Sequence, residues 1–300
     1  MRLIKQNLRR VVLLSAMTSG AIASGTAVAS LRAALGGRAG TIYEITKDVE
    51  TVSEGAEGST GSSTDRDTIV ERVLAVRSDG RELEFDLPKD ATEQDRESNW
   101  QFPIRVFKSY SGTVRLLNRS ELEGRIDRWL KKGGIPRAAC GHWVFTWNAF
   151  KIDCDPESAL ETVAAYDLGS NDIRDGYVYD DPEASAPIVL RKTTTSTNAV
   201  TFSGSMPIDP ASVRREQAES DVVVAEISNK SLTLEDAIRA RSDEKVTGTI
   251  SISFEVAPSG FVRQRTKIAK LKLVEPNGTV EHRTTTEILK RQIVSGEGSQ

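Results

Sequence analysis

The sequence predicts an α+β protein: a large, mostly antiparallel, coiled β-sheet with several helices packed across it. Three observations carry this. First, three long segments close the chain, residues 245–256, 261–274 and 279 to about 293, joined by Pro258-Ser259-Gly260 and Glu275-Pro276-Asn277-Gly278, which have hairpin-turn composition. In the first of them Ile250, Ile252, Phe254 and Val256 alternate with Thr249, Ser251, Ser253 and Glu255. Twelve residues at strand spacing span about 40 Å, roughly twice the usual strand, which suits a large coiled sheet better than a small sandwich. Second, Leu83, Phe85 and Leu87 alternate with Glu82, Glu84 and Asp86, so a hairpin near the other end has one wet face and the sheet is covered on one side only. Third, segments with helix punctuation interrupt the strands.

The first thirty residues read as an export signal. Arg2, Lys5, Arg9 and Arg10 form a basic head, an uncharged apolar stretch runs from Val11 to Ala23, and Ala27-Val28-Ala29 offers a small-residue cleavage site before Ser30. The apolar run is shorter than the roughly 20 residues that span a bilayer. Residues 1–29 are therefore expected to be a cleaved signal peptide, leaving residues 30–300 as one α+β domain in the periplasm or outside the cell, with no transmembrane segment. Arg9-Arg10 loosely resembles a twin-arginine signal, so the sequence leaves the export route open. Of 40 basic and 43 acidic residues the cut removes four basic ones, giving a mature charge of about −7. So acidic a chain has no general attraction for nucleic acid or anionic surfaces.

In order, residues 41–53 read as a strand with Tyr43, Ile45 and Val49 on one side. A Gly/Ser-rich stretch near 54–66 reads as a flexible loop, because it has too few apolar groups to pack. Residues 69–77 and 81–87 flank Asp79-Gly80, a pair suited to the positive φ angles of a tight hairpin. Residues 100–108 and 113–117 are two more strands. A helix then starts at Ser120 as N-cap with Glu123 as its capping-box partner, carries Leu122, Ile126, Trp129 and Leu130 as its apolar stripe, and stops at Gly133-Gly134. Asp155-Pro156 opens a second helix and Asp209-Pro210 another, whose end is ambiguous because Val222-Val223-Val224 also suits a strand. Between them, short strands are expected at 176–179, 187–194 and 199–203, and Thr233 caps a short helix over 234–241.

The only cysteines, Cys140 and Cys154, are 14 positions apart. The intervening residues suit two strands turning near Trp147, which sets the cysteines opposite each other, and an oxidising compartment favours the bond. A structural disulfide is the expectation. In that hairpin Trp143, Phe145 and Trp147 alternate, so they share a face; the sequence reads this as a core stripe ahead of a ligand-stacking platform. Together with Trp129 they are the candidate contacts for an apolar ligand.

No motif specifies a chemistry. His142 and His282, the only histidines, lack metal-ligand spacing, and no nucleophile-elbow, phosphate-cradling or dinucleotide-binding pattern occurs in the mature chain. Asp153, Asp155, Asp180 and Asp181 fall near element ends, where a solvated surface explains them. Arg263, Arg265, Lys267, Lys270 and Lys272 make one strand basic, read as a solvated or edge-protecting strand or as a dock for an acidic partner. No catalytic residue, metal or cofactor is assigned.

Two functions follow. One is a periplasmic binding or carrier protein holding an apolar small molecule or lipid under its helices, in general layout similar to the half-barrel carriers of lipoproteins and lipids in bacterial envelopes. The other is a non-enzymatic envelope module that binds another protein.

Overall fold

The structure, a computed structural model, describes residues 37–55, 58–145, 149–169, 172–195 and 199–295. Five strands lead: β1 (Ile42–Glu54), β2 (Thr60–Val76), β3 (Gly80–Asp86), β4 (Ile104–Ser109) and β5 (Val114–Leu116), with a short helix α1 (Glu93–Ser98) between β3 and β4. The middle holds α2 (Arg119–Gly133), the hairpin β6 (Trp143–Phe145) and β7 (Ala149–Lys151), α3 (Ala159–Ala165), and the pair β8 (Val178–Tyr179) and β9 (Ile188–Val189). The chain then forms β10 (Arg191–Thr195), β11 (Val200–Pro207), α4 (Pro210–Ile227), α5 (Leu234–Ala240), β12 (Lys245–Val256), β13 (Val262–Val274) and β14 (Val280–Ser295).

Ten strands make one antiparallel sheet in the order β10-β11-β12-β13-β14-β1-β2-β3-β4-β5. The sheet is open, with β10 and β5 at its edges. Its two halves come from opposite ends of the chain and meet at β14 and β1, paired from Tyr43 with Ile293 to Glu54 with His282. The α+β reading is thus observed.

Strand parity assigns the two faces. Tyr43, Ile45, Ile69, Leu83, Phe85, Ile104 and Val106 share one face with Ile250, Ile252 and Phe254, and all are buried. Against them pack Leu122, Ile126 and Leu130 of α2, Ile152, Ala159 and Val163 of the next segment, then Leu168, Ile173 and Leu190. This covering layer explains why the long strands are amphipathic: each apolar row removes roughly 25 cal/mol per Å² of surface from water, while the other face stays wet.

The local chemistry decides several details. Asp155, Asp209 and Thr233 cap the segments that follow them by accepting from the N–H groups of Glu157, Ala211 and Asp236. The Val222-Val223-Val224 ambiguity resolves to helix, as part of α4. Gly134 ends α2 in the left-handed conformation, at φ 62°. That helix begins one residue before Ser120, with Asn118 at its N-cap. Asn118 makes no capping bond because its amide is used across the layer, accepting from Arg105 N–H at 2.9 Å and donating to Pro103 O at 3.0 Å.

Two turn expectations are corrected. The stretch near 54–66 is mostly strand: β2 starts at Thr60 and pairs with β1 from Glu54 onward. Polar residues form a strand there because β1 supplies partners for the N–H and C=O groups that face it, so apolar packing is not required. At Asp79-Gly80 neither residue takes positive φ. Gly80 is needed for space instead, since a Cβ there would lie 2.5 Å from Lys108 O and 2.8 Å from Ser109 Cα.

Candidate functional site

The disulfide joins Cys140 to Cys154 with Cα atoms 5.6 Å apart. The β6–β7 ladder continues outward to them, with Gly141 N–H donating to Ile152 O at 2.7 Å and Ile152 N–H to His142 O at 2.9 Å. Bond and strand register therefore support each other as expected. Within the hairpin Val144 lies opposite Phe150, and both pack against the core. Parity then turns Trp143 and Phe145 away from it, and Phe145 is 63 % exposed. The core-stripe reading of this aromatic row is corrected on that ground. Trp129 packs against the core from α2, Trp143 is half-buried with its backbone N–H donating to Glu226 of α4, and Trp147 lies outside the described residues. Neither the groove nor the hollow described below is lined by Trp129, Trp143 or Phe145.

The covered face is charged along its centre. Where β13, β14 and β1 meet, its side chains are charged: Lys47 lies 3.2 Å and Arg265 2.5 Å from Glu287. Lys267 reaches Asp181 and Glu183 at 2.9 Å each, tying the 181–183 turn to the sheet. β13 is thus an interior strand whose inward cations are paired, which corrects the solvated and edge-protecting readings of Arg265 and Lys267. Where α4 meets this layer, a hollow of about 30 Å³ beside Gln217 and Leu273 has room for a water or two rather than a ligand.

Burial alone would raise the Asp181 carboxyl, but the Lys267 ammonium and the bonds from Glu183 N–H and Tyr179 hold it below its ordinary value. Glu287 behaves alike: loss of solvent raises it, and Lys47 with Arg265 outweighs that. Groups with depressed folded pKa values stabilise the fold above the unfolded carboxylate pKa and lose that contribution as pH falls through the folded value. The urea midpoint is therefore expected to hold between about pH 7 and about pH 5, then fall toward about pH 3. Lys267→Met should flatten part of that fall, and an unchanged pH profile in the variant would show that Asp181 is not held by Lys267.

The open face carries the candidate site. On β11 Ser203 and Ser205 lie opposite Ser253 and Ser251 of β12, which in turn lie opposite Thr266 and Ile268 of β13. Four serines in a square fill little space, so the sheet surface is hollow there. The result is a groove of about 380 Å³ lined by these six residues together with Gly204 and Ile252. That volume falls in the range of small-molecule sites. Ser251 and Ser205 hydroxyls are 3.5 Å apart at its wall. Ile268 faces the groove, and Ile288 of β14 follows on the diagonal, opposite Thr266. Ser251 and Ser253 were legible only as polar positions of a long strand, and Ser205 and Ile268 carried no mark of their own. The available signal was the repeated Ser-x-Ser, at 203–205 and 251–253.

Among the described residues no group of acidic, histidine or cysteine side chains is arranged to hold a metal ion, and no helix is long and apolar enough to cross a membrane. No protein-family model and no curated protein matches the chain. Among solved structures the chain is weakly similar to a lipovitellin structure concerned with lipid–protein interactions, with a TM-score of 0.40 and 9 % identity over 88 % of this chain. It spans 26 % of that lipovitellin chain. A conserved hot-dog-fold protein of unknown function from Alicyclobacillus acidocaldarius gives a TM-score of 0.11 and 12 % identity, over 89 % of this chain and 86 % of the other.

Proposed function

We propose that the chain is an exported, non-enzymatic carrier that holds an apolar ligand in the groove on the open face of its sheet. The observation that carries this reading is the groove itself: about 380 Å³, with Ile268 to contact an aliphatic chain and hydroxyls along its wall to meet a polar substituent. Residues 1–29 and the oxidised cysteine pair support export to the periplasm or beyond. The sequence placed the ligand beneath the helices; the packed core and ion pairs on that face move the proposed site to the opposite one.

The test is binding of a fluorescent apolar probe, 1-N-phenylnaphthylamine, to delipidated protein. Wild type is expected to bind it, and Ile268→Glu, which puts a charge where the chain would lie, should bind about tenfold more weakly or worse. Equal binding by both proteins would remove the groove from the account.

A second reading, an envelope module that docks another protein, rests on apolar side chains outside the groove. Phe145 is 63 % exposed and Val224 62 % exposed, on the hairpin and on the helix that touches it. Photo-crosslinkers at these two positions should capture a partner in cells if that reading holds.

A further inference from the structure

We infer that the ligand of this groove carries an anionic head group at one end of an apolar chain. The inference rests on the carrier reading and adds the chemical class of the ligand. Along β13 the open face presents, in order, Thr266, Ile268, Lys270 and Lys272, because alternate residues of a strand share a face. The groove lining thus leads directly into two lysines, with Lys272 about 13 Å from Ile268 along the strand.

The neighbours of these lysines decide their electrostatic state. On the open face Lys270 is flanked by Thr249 on β12 and Thr284 on β14, and Lys272 by Thr247 and His282. None of the four offers a carboxylate. Lys245 joins the same end two residues before Thr247, on the same face. Lys245, Lys270, Lys272 and His282 are all exposed, and among the described residues neither Lys270 nor Lys272 has an ion-pair partner. Two features set this end apart from ordinary surface charge. The inward cations of the same strand, Arg265 and Lys267, are each matched to carboxylates. On the open face of β1 and β2, Asp48 is likewise matched, by Arg66 at 3.2 Å. At this end of the groove Lys270 and Lys272 are left without such a match, in a protein whose mature charge is expected to be negative. An aliphatic chain over Ile268 with a carboxylate or phosphate at Lys270 and Lys272 satisfies both halves of this surface.

The experiment compares cis-parinaric acid with its methyl ester, which has the same chain and no charge, on wild type and on Lys270→Gln/Lys272→Gln. Wild type should bind the acid about fivefold more tightly than the ester at low salt, and the preference should shrink at high salt. In the double variant the acid should bind no better than the ester. Equal affinity for acid and ester in wild type would overturn the head-group assignment while leaving the carrier reading in place. Binding of neither would overturn both. Tight binding of a poly-glutamate peptide that the acid does not displace would overturn the assignment in favour of an acidic protein partner.

Discussion

Replacing Glu71 with alanine is expected to destabilise the protein by about 3–5 kcal/mol, measured by urea denaturation. Glu71 on β2 and Arg291 on β14 reach each other across β1, and their side chains are only 7 % and 9 % exposed. The Arg291 guanidinium also lies 4.1 Å from the Tyr43 ring centre and 4.9 Å from that of Phe261, two rings stacked at 5.3 Å. Without its carboxylate that cation has faces of aromatic rings but no counter-charge, and the positive charge of buried Arg81 also acts on Tyr43. The penalty is that of an uncompensated buried charge, larger than the net worth of the pair. Glu71→Leu combined with Arg291→Met should therefore recover much of the loss. A single-variant loss below about 1 kcal/mol would show that water reaches Arg291 and that the pair does not hold the two halves of the sheet together.

Phe254→Ala is expected to cost a similar amount, about 3–5 kcal/mol, and to loosen a defined part of the fold. Phe254 is fully buried on β12. It lies opposite Phe202 of β11, meets the Tyr179 ring edge-on at 5.5 Å, and sits 3.6 Å from where a Cβ of Gly169 would be. Removing the ring leaves a cavity beneath Tyr179 in the 172–190 segment, which buried Ile173 and Leu190 and the Lys267–Asp181 pair also tie to the sheet. Amide exchange should accelerate around Tyr177 and Leu190 more than in β3 and β4. A uniform rise would mean that the cavity collapses through the whole core instead.

How much of this was legible depends on which interactions decide each feature. The three C-terminal strands were read to within a few residues because Ile250, Ile252, Phe254 and their polar alternates encode strand, face and register at once. The helix at Asp209-Pro210 and the cysteine hairpin were legible for the same reason: cap, proline and paired cysteines act locally. Features set by partners distant in sequence were not. Asn118 rather than Ser120 stands at the N-cap position of α2, without capping it because its side-chain amide is taken by Arg105 and Pro103, and residues 60–66 form strand only because β1 runs beside them. The site was legible least. Arg265 and Lys267 look the same in sequence as Lys270 and Lys272, and only parity within the assembled sheet sends the first pair inward to carboxylates and the second outward beside the groove. The aromatic row drew attention for its size, yet the hollow is made by serines, residues that matter there by being small.

Native mass spectrometry of the protein purified gently from cells that produce the full chain, followed by denaturing analysis of whatever it releases, tests the carrier reading most directly. The account predicts a polypeptide beginning at Ser30, two hydrogen atoms lighter than its reduced form, carrying an apolar molecule with an acidic group that is lost on unfolding. A bare polypeptide under the same gentle conditions, with nothing apolar in the denatured extract, would contradict it.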